Sequence, residues 1–253
     1  MANWSDPRAG AGYAGVEPRA DARDAGLRAY MLSVYNYMLS GVLLTGVVAL
    51  LFAKSSLINL LFTVQETSRG LAIGPTLLGW VVMLAPLGIV LSMSFLQSRL
   101  SESALKALFF AYAGILGASL STIFLTYTDM SIAQVFFGTA AGFAGLSIYG
   151  YTTKRDLSGF GTFLLMGLIG LIVASIVNLF LQSGTMSLVI SAIGVLIFAG
   201  LTAYDTQKIK SLYAYVGGTD MQGKAVIMGA LTLYLDFINM FLFLLRLFGS
   251  SRN

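Results

Sequence analysis

The 253-residue sequence contains no cysteine and no histidine, and these two absences remove whole classes of chemistry. A disulfide, a thiolate nucleophile, a Cys/His zinc site and a Ser-His dyad are all impossible. Serine intramembrane proteases of the rhomboid type and zinc-dependent intramembrane proteases both need histidine and are excluded with them. A response to pH near neutrality also lacks the usual imidazole switch, so carboxylates must carry any such response. Charge is scarce as well: Asp, Glu, Lys and Arg make up 10 % of the chain, against roughly 25 % in an average soluble domain.

Apolar residues fill the space, at 57 % of the chain. A helix needs about 20 of them in a row to cross hydrocarbon. Seven such stretches are predicted, near 33–53, 76–96, 105–127, 131–150, 160–181, 187–207 and 226–248. The reading is an all-α integral membrane protein with seven transmembrane helices over residues 29–250. Residues 1–28, rich in Ala, Gly, Arg and Asp and without apolar periodicity, are expected to form a flexible cytoplasmic tail rather than a signal peptide. Residues 1–25 of it are expected to be dispensable for folding.

The net charge of +4 is not a nucleic-acid signal, because the basic residues flank the apolar stretches. If the N-terminus is cytoplasmic, that side holds Arg8, Arg19, Arg23, Arg28, Arg99, Lys106, Lys154, Arg155, Lys208, Lys210 and Lys224, eleven in all. Four remain for the other side: Lys54, Arg69, Arg246 and Arg252. The positive-inside rule therefore predicts a cytoplasmic N-terminus and an external C-terminus.

Between the spans, the half-apolar connection from Lys54 to Pro75 suggests a short helix at the outer interface. Pro75 suits the first turn of the second span, and Pro86 is expected to kink it. Gly138, Gly142 and Gly145, and likewise Gly114, Gly117 and Ala118, form small-residue faces suited to close internal packing, with a dimer contact as the alternative. Asn36, Gln134 and Asn178 read as interhelical hydrogen-bonding groups.

Asp236 stands near the middle of the last apolar run, where an ionised Asp costs roughly 2.5–3.5 kcal/mol on insertion scales. Such a residue is either satisfied by neighbouring helices or functional. Its candidate partner is Asp205, at the end of the preceding run, because consecutive helices are usually neighbours. Two carboxylates brought together need a shared proton or a cation, and Ca²⁺ prefers hard oxygen ligands of this kind. Asn239, three residues from Asp236, shares its helix face, and Tyr204 and Gln207 supply further polar groups beside Asp205. The alternative for Asp205 is a surface ion pair with Lys208. Arg99 is placed to clamp a carboxylate or to touch lipid headgroups.

Three motifs in order resemble the Bax inhibitor-1 family in its bacterial, YccA-like branch: Gly142-Phe143-Ala144-Gly145-Leu146-Ser147-Ile148-Tyr149-Gly150 running on to Ser158, Leu201-Thr202-Ala203-Tyr204-Asp205-Thr206-Gln207, and Leu233-Tyr234-Leu235-Asp236-Phe237-Ile238-Asn239. The likeness extends over about residues 28–249. It implies six helices surrounding a central seventh, with Asp205 and Asp236 as a hydrogen-bonded pair acting as pH sensor on a Ca²⁺ path, and Arg99 as the match for an Arg that latches onto the Asp of the sixth helix. The function it implies is a pH-sensitive calcium leak in a bacterial inner membrane, with no tightly bound cofactor. The loop Ser211–Lys224, long and Gly-rich, resembles members that bind a membrane protease. A second reading is therefore a non-channel regulator of a membrane-bound AAA protease.

An enzyme is the third and least favoured reading. Two intramembrane aspartates suggest a presenilin-type protease, but Asp236 follows Leu233-Tyr234-Leu235 where the Gly-x-Gly-Asp motif is needed. The last apolar run, 226–248, holds no Lys for a retinal Schiff base.

Overall fold

The computed structural model describes residues 17–67 and 70–252. Its elements are α1 (Glu17–Ala53), α2 (Ile58–Leu61), β1 (Phe62–Thr67), β2 (Gly70–Pro75), α3 (Leu77–Leu96), α4 (Glu102–Leu120), α5 (Ile123–Thr126), α6 (Asp129–Thr152), α7 (Ser158–Leu181), α8 (Gly184–Val216) and α9 (Gln222–Phe248). Among the described residues, seven helices are long and apolar enough to cross a membrane, with α4 and α5 together forming one of them. The protein is an integral membrane protein of the all-α class.

The seventh of these helices, α9, is the axis of the bundle. In its most apolar stretch 72 % of the residues are buried, against 11 % in α7. Leu233, Tyr234, Asp236, Phe237, Ile238, Met240 and Phe241 are buried on successive faces, as expected of a helix enclosed on all sides. Helices α1, α4, α6 and α8 pack directly on α9, while α3 packs on α4 and α7 on α8. Six helices thus surround the seventh, with two standing further out.

Tyr234 ties three helices together. Its hydroxyl lies 2.6 Å from Thr45 Oγ1, which donates to the Ala113 carbonyl at 2.9 Å, and its ring meets Phe109 and Tyr112 edge-on. Gly117 brings α4 against α1, since a Cβ there would press on the Thr45 carbonyl at 2.6 Å.

Several sequence expectations are corrected. Helix α1 begins at Glu17, so residues 17–28 are helical, in keeping with the strong helix formers Ala20, Ala22 and Ala25. Gly26 also rests against Tyr213. The part of the expected tail before residue 17 lies outside the described residues. The Lys54–Pro75 connection holds only one helical turn, followed by an antiparallel hairpin pairing Phe62 with Pro75 through Thr67 with Gly70. The β-branched Thr63, Val64 and Thr67 and the glycines at 70 and 74 favour strand over helix there. Pro75 ends β2, and Thr76 caps α3 by accepting from the Gly79 amide at 3.0 Å.

At the other end, α8 runs on to Val216, about 50 Å at 1.5 Å per residue. Ser211–Val216 is therefore helix, and the expected long loop shrinks to residues 217–221. The Tyr213 ring packs against Tyr30 at 5.3 Å. Gly138, Gly142 and Gly145 face outward and meet no neighbour, so internal packing is not their use. Asn36 and Gln134 are exposed, and Asn178 serves a local turn by accepting from the Ser183 amide.

The ends of the first and seventh spans meet the start of the fourth. Asp129 pairs with Lys54 at 3.7 Å and with Arg252 at 2.9 Å. Arg252 also donates to the Phe124 and Thr126 carbonyls, and the Ser250 amide donates to Ser131 Oγ. An odd number of crossings requires these three points to share one side.

Candidate functional site: a carboxyl pair between two cavities

Helices α8 and α9 bring Asp205 and Asp236 together. Both are buried, at 9 % and 4 % exposure, and their carboxyl groups are close enough to interact with one another. Oδ2 of Asp236 receives no hydrogen bond among the described residues. Leaving such an atom buried costs stability, so the pair is not a product of folding economy alone.

The backbone around the pair is held by close helix contacts. Gly150 on α6 faces the carbonyl of Ala203, which a Cβ would strike, and Gly161 on α7 faces the ring of Tyr204. Thr206 Oγ1 lies 3.5 Å from Ser147 Oγ of α6. These contacts fix the turn of α8 that carries Asp205 against both its neighbours.

Two cavities meet at Asp205, and the larger also reaches Asp236. One, of about 980 Å³, runs between α3, α7, α8 and α9, and its lining includes Asp205, Asp236, Asn239 and Arg246. The other, of about 560 Å³, lies at the α6–α7 loop end and is lined by Tyr204, Asp205, Gln207, Lys208 and Asp156 among others. Asp205 and Thr232 line both. Asp205 therefore sits at the divide, with Asp236 beside it on the larger cavity.

The other predicted residues divide by role. Asn239 lines the larger cavity beside Asp236, donating to the Leu235 carbonyl at 2.8 Å. Tyr204 lines the smaller one. Gln207 spends its amide on the α6–α7 loop: Oε1 accepts from the Leu157 amide at 2.9 Å and Nε2 donates to the Arg155 carbonyl at 2.8 Å. It clamps the loop and does not reach the pair as a ligand. Arg99 is exposed in the turn between α3 and α4 and forms no ion pair among the described residues, so the structure does not bring it onto Asp205. Nor does Lys208 pair with Asp205; its ammonium lies 5.8 Å from the Tyr204 ring centre.

Asp156, outside the spans, accepts from the Ser158 amide at 2.9 Å. Hydrogen bonds from the Ser158 side chain and backbone hold its carboxyl below the usual range. Sequence reasoning missed Thr232 and Arg246 as site residues. The signal was a stripe along α9, Thr232, Asp236, Asn239, Phe243 and Arg246, whose spacing of four, three, four and three marks one helix face. Among the described residues no three acidic side chains gather as a metal cage.

The profile of the family described as inhibitor of apoptosis-promoting Bax1 (Bax1-I) matches residues 27–253. The inner membrane protein YbhL of Escherichia coli K12 is 46 % identical over 240 residues, covering 94 % of this chain and 96 % of that protein. Protein RP147 of Rickettsia prowazekii is 47 % identical over 231 residues, 91 % and 93 % of the two chains. A protein of Caulobacter vibrioides is 48 % identical over 249 residues, 95 % and 97 %.

Proposed function

This chain belongs to the Bax inhibitor-1 family, and from that premise we propose that it is a pH-sensitive calcium leak gated by Asp205 and Asp236, resident in a bacterial inner membrane as its relative YbhL is named to be. The observation that carries the reading is the position of Asp205 where two cavities meet, with Asp236 beside it on the larger one. Opposed carboxyl groups at a divide can do two things. Sharing one proton, they hold α8 and α9 together. Stripped of it, they repel or accept a cation.

The energies are of a useful size. Two unit charges about 4 Å apart interact by about 4 kcal/mol at an effective dielectric of about 20, which is roughly three powers of ten in an equilibrium. Hard oxygens suit Ca²⁺, and a pair, rather than a cage of six to eight ligands, suits an ion that must leave again. The sequence has no histidine, so a leak that changes between about pH 6 and 8 has to be read by such carboxyls.

The test is calcium entry into liposomes holding a calcium dye, scanned across pH for wild type, Asp205→Asn and Asp236→Asn. Both substitutions keep a hydrogen-bonding shape and remove one charge. The expected result is a flattened pH profile in both. If both variants keep the wild-type profile, the pair is structural and regulation of a membrane-bound AAA protease becomes the better reading.

A further inference from the structure

The larger cavity is a cleft in the side of the bundle. Leu87 and Leu91 of α3 and Leu165 and Ile172 of α7 line it, yet are 45–59 % exposed at the membrane-facing surface, so it opens sideways into the bilayer. Its outer walls are apolar, with Leu87, Val90 and Leu91 facing Leu165, Leu168 and Ile172, while Asp205, Thr232, Asp236 and Asn239 lie on its inner wall; left empty, the apolar walls would lose their dispersion contacts. Hydrocarbon is the filling that the surroundings supply.

One end of the cleft carries a positive charge. Arg246, in the last turn of α9, lines it and forms no ion pair among the described residues, whereas Lys54 and Arg252 on the same side are both engaged by Asp129. Its guanidinium lies 5.6 Å from the Phe243 ring centre, within the same cleft. From Arg246 to Asp236 is ten residues of helix, about 15 Å at 1.5 Å each. That is half of a hydrocarbon core about 30 Å thick, the depth of one leaflet.

We propose that this cleft binds one anionic phospholipid from the leaflet on the C-terminal side. Its phosphate sits on Arg246, in the paired geometry that a guanidinium offers, and an acyl chain lies between α3 and α7 with its end near the Asp236 turn. The proposal goes beyond the leak reading and does not depend on ion flow: the chain lies along the apolar outer walls of α3 and α7 and leaves the inner wall of Asp205, Asp236 and Asn239 to the leak.

The probes are phosphatidylglycerol and phosphatidylcholine with brominated chains, which quench tryptophan on contact. The chain has two tryptophans, Trp4 and Trp80; both are changed to Phe, and Leu168→Trp places a reporter in the cleft. In full-length protein reconstituted with a minor fraction of either brominated lipid, the anionic one should quench the reporter several-fold more, and Arg246→Gln should abolish the difference. No quenching by either lipid, equal quenching by both, or a preference that survives Arg246→Gln overturns the proposal. If Leu168→Trp fails to fold, Val90→Trp on the opposite wall gives the same readout. Native mass spectrometry of the unmodified sequence provides a reporter-free measurement: retained phosphatidylglycerol in wild type, lost in Arg246→Gln, is expected, and equal retention in both overturns the site. Neither measurement reads calcium flux, so a failed leak and a failed lipid site are told apart.

Discussion

A buried carboxyl with an unsatisfied oxygen, facing a second carboxyl, costs stability, and that gives a direct way to separate function from architecture. Replacing buried ionisable groups by apolar ones is often neutral or stabilising by about 1–4 kcal/mol, and the cavity beside Asp236 leaves room for a larger side chain. Asp236→Leu should therefore keep or raise the thermal midpoint in detergent while abolishing the leak; a fall of many degrees would mark the pair as a structural tie. Asp156 supplies the control for pH. Its carboxyl is held below the usual range by the bonds from Ser158, so whatever it contributes is present above its unfolded value of about 4 and is lost only as pH falls through its lower folded value. It stays ionised throughout pH 6–8, and Asp156→Asn should leave the midpoint of the leak's pH profile where it is. At this scale the sequence was informative wherever a residue was expensive. Asp236 and Asp205 declare themselves because charge in hydrocarbon must be explained. Thr232 and Arg246 do not, because a Thr or a terminal Arg in a membrane helix is cheap, and their role depends on a cavity that only the packing of α3 and α7 creates.

Between elements, the site depends on how closely backbones approach. The Gly150–Ala203 contact sets α6 against the turn of α8 that bears Asp205, and the obstacle a side chain would meet is backbone, which cannot rotate away. Gly150→Val should cost about 1–3 kcal/mol by overpacking, read as a lowered midpoint. An unchanged midpoint would show that α6 and α8 can part without consequence. The seven spans were legible because hydropathy is an honest signal inside the membrane. It loses its meaning outside, where the remaining differences lie. The end of α8 is fixed by the packing of Tyr213 on Tyr30, and the start of α1 by helix-forming alanines that carry no apolar period. The hairpin after α2 is written in β-branched residues and glycines, and a search for apolar stretches passes over them. The small-residue faces show the same limit: Gly117 does admit α1 closely, while Gly138, Gly142 and Gly145 face outward, and spacing alone does not distinguish the two.

For the whole molecule, the arrangement of ends makes a prediction about orientation that the cysteine-free sequence renders easy to test. Lys54, Asp129 and Arg252 are joined on one side, so the ends of spans one and seven lie together, and the turn after α8 must lie on the other. The excess of basic residues around that turn, the α6–α7 loop and the start of α1 assigns it to the cytoplasm, and we propose a cytoplasmic N-terminus with an external C-terminus. The smaller cavity, lined by Asp156 and Lys208, would then open to the cytoplasm, and Arg246 would meet the outer leaflet. Single cysteines at Asp220 and at Ser251, both exposed, can be labelled with a membrane-impermeant maleimide in intact spheroplasts, with no native thiol to confuse the signal. Ser251→Cys should react at once, and Asp220→Cys only after the membrane is opened. The reverse pattern would invert the protein and make the smaller cavity external, and labelling of both from one side would mean an even number of crossings, incompatible with the ion pairs that Asp129 makes across the bundle's outer end.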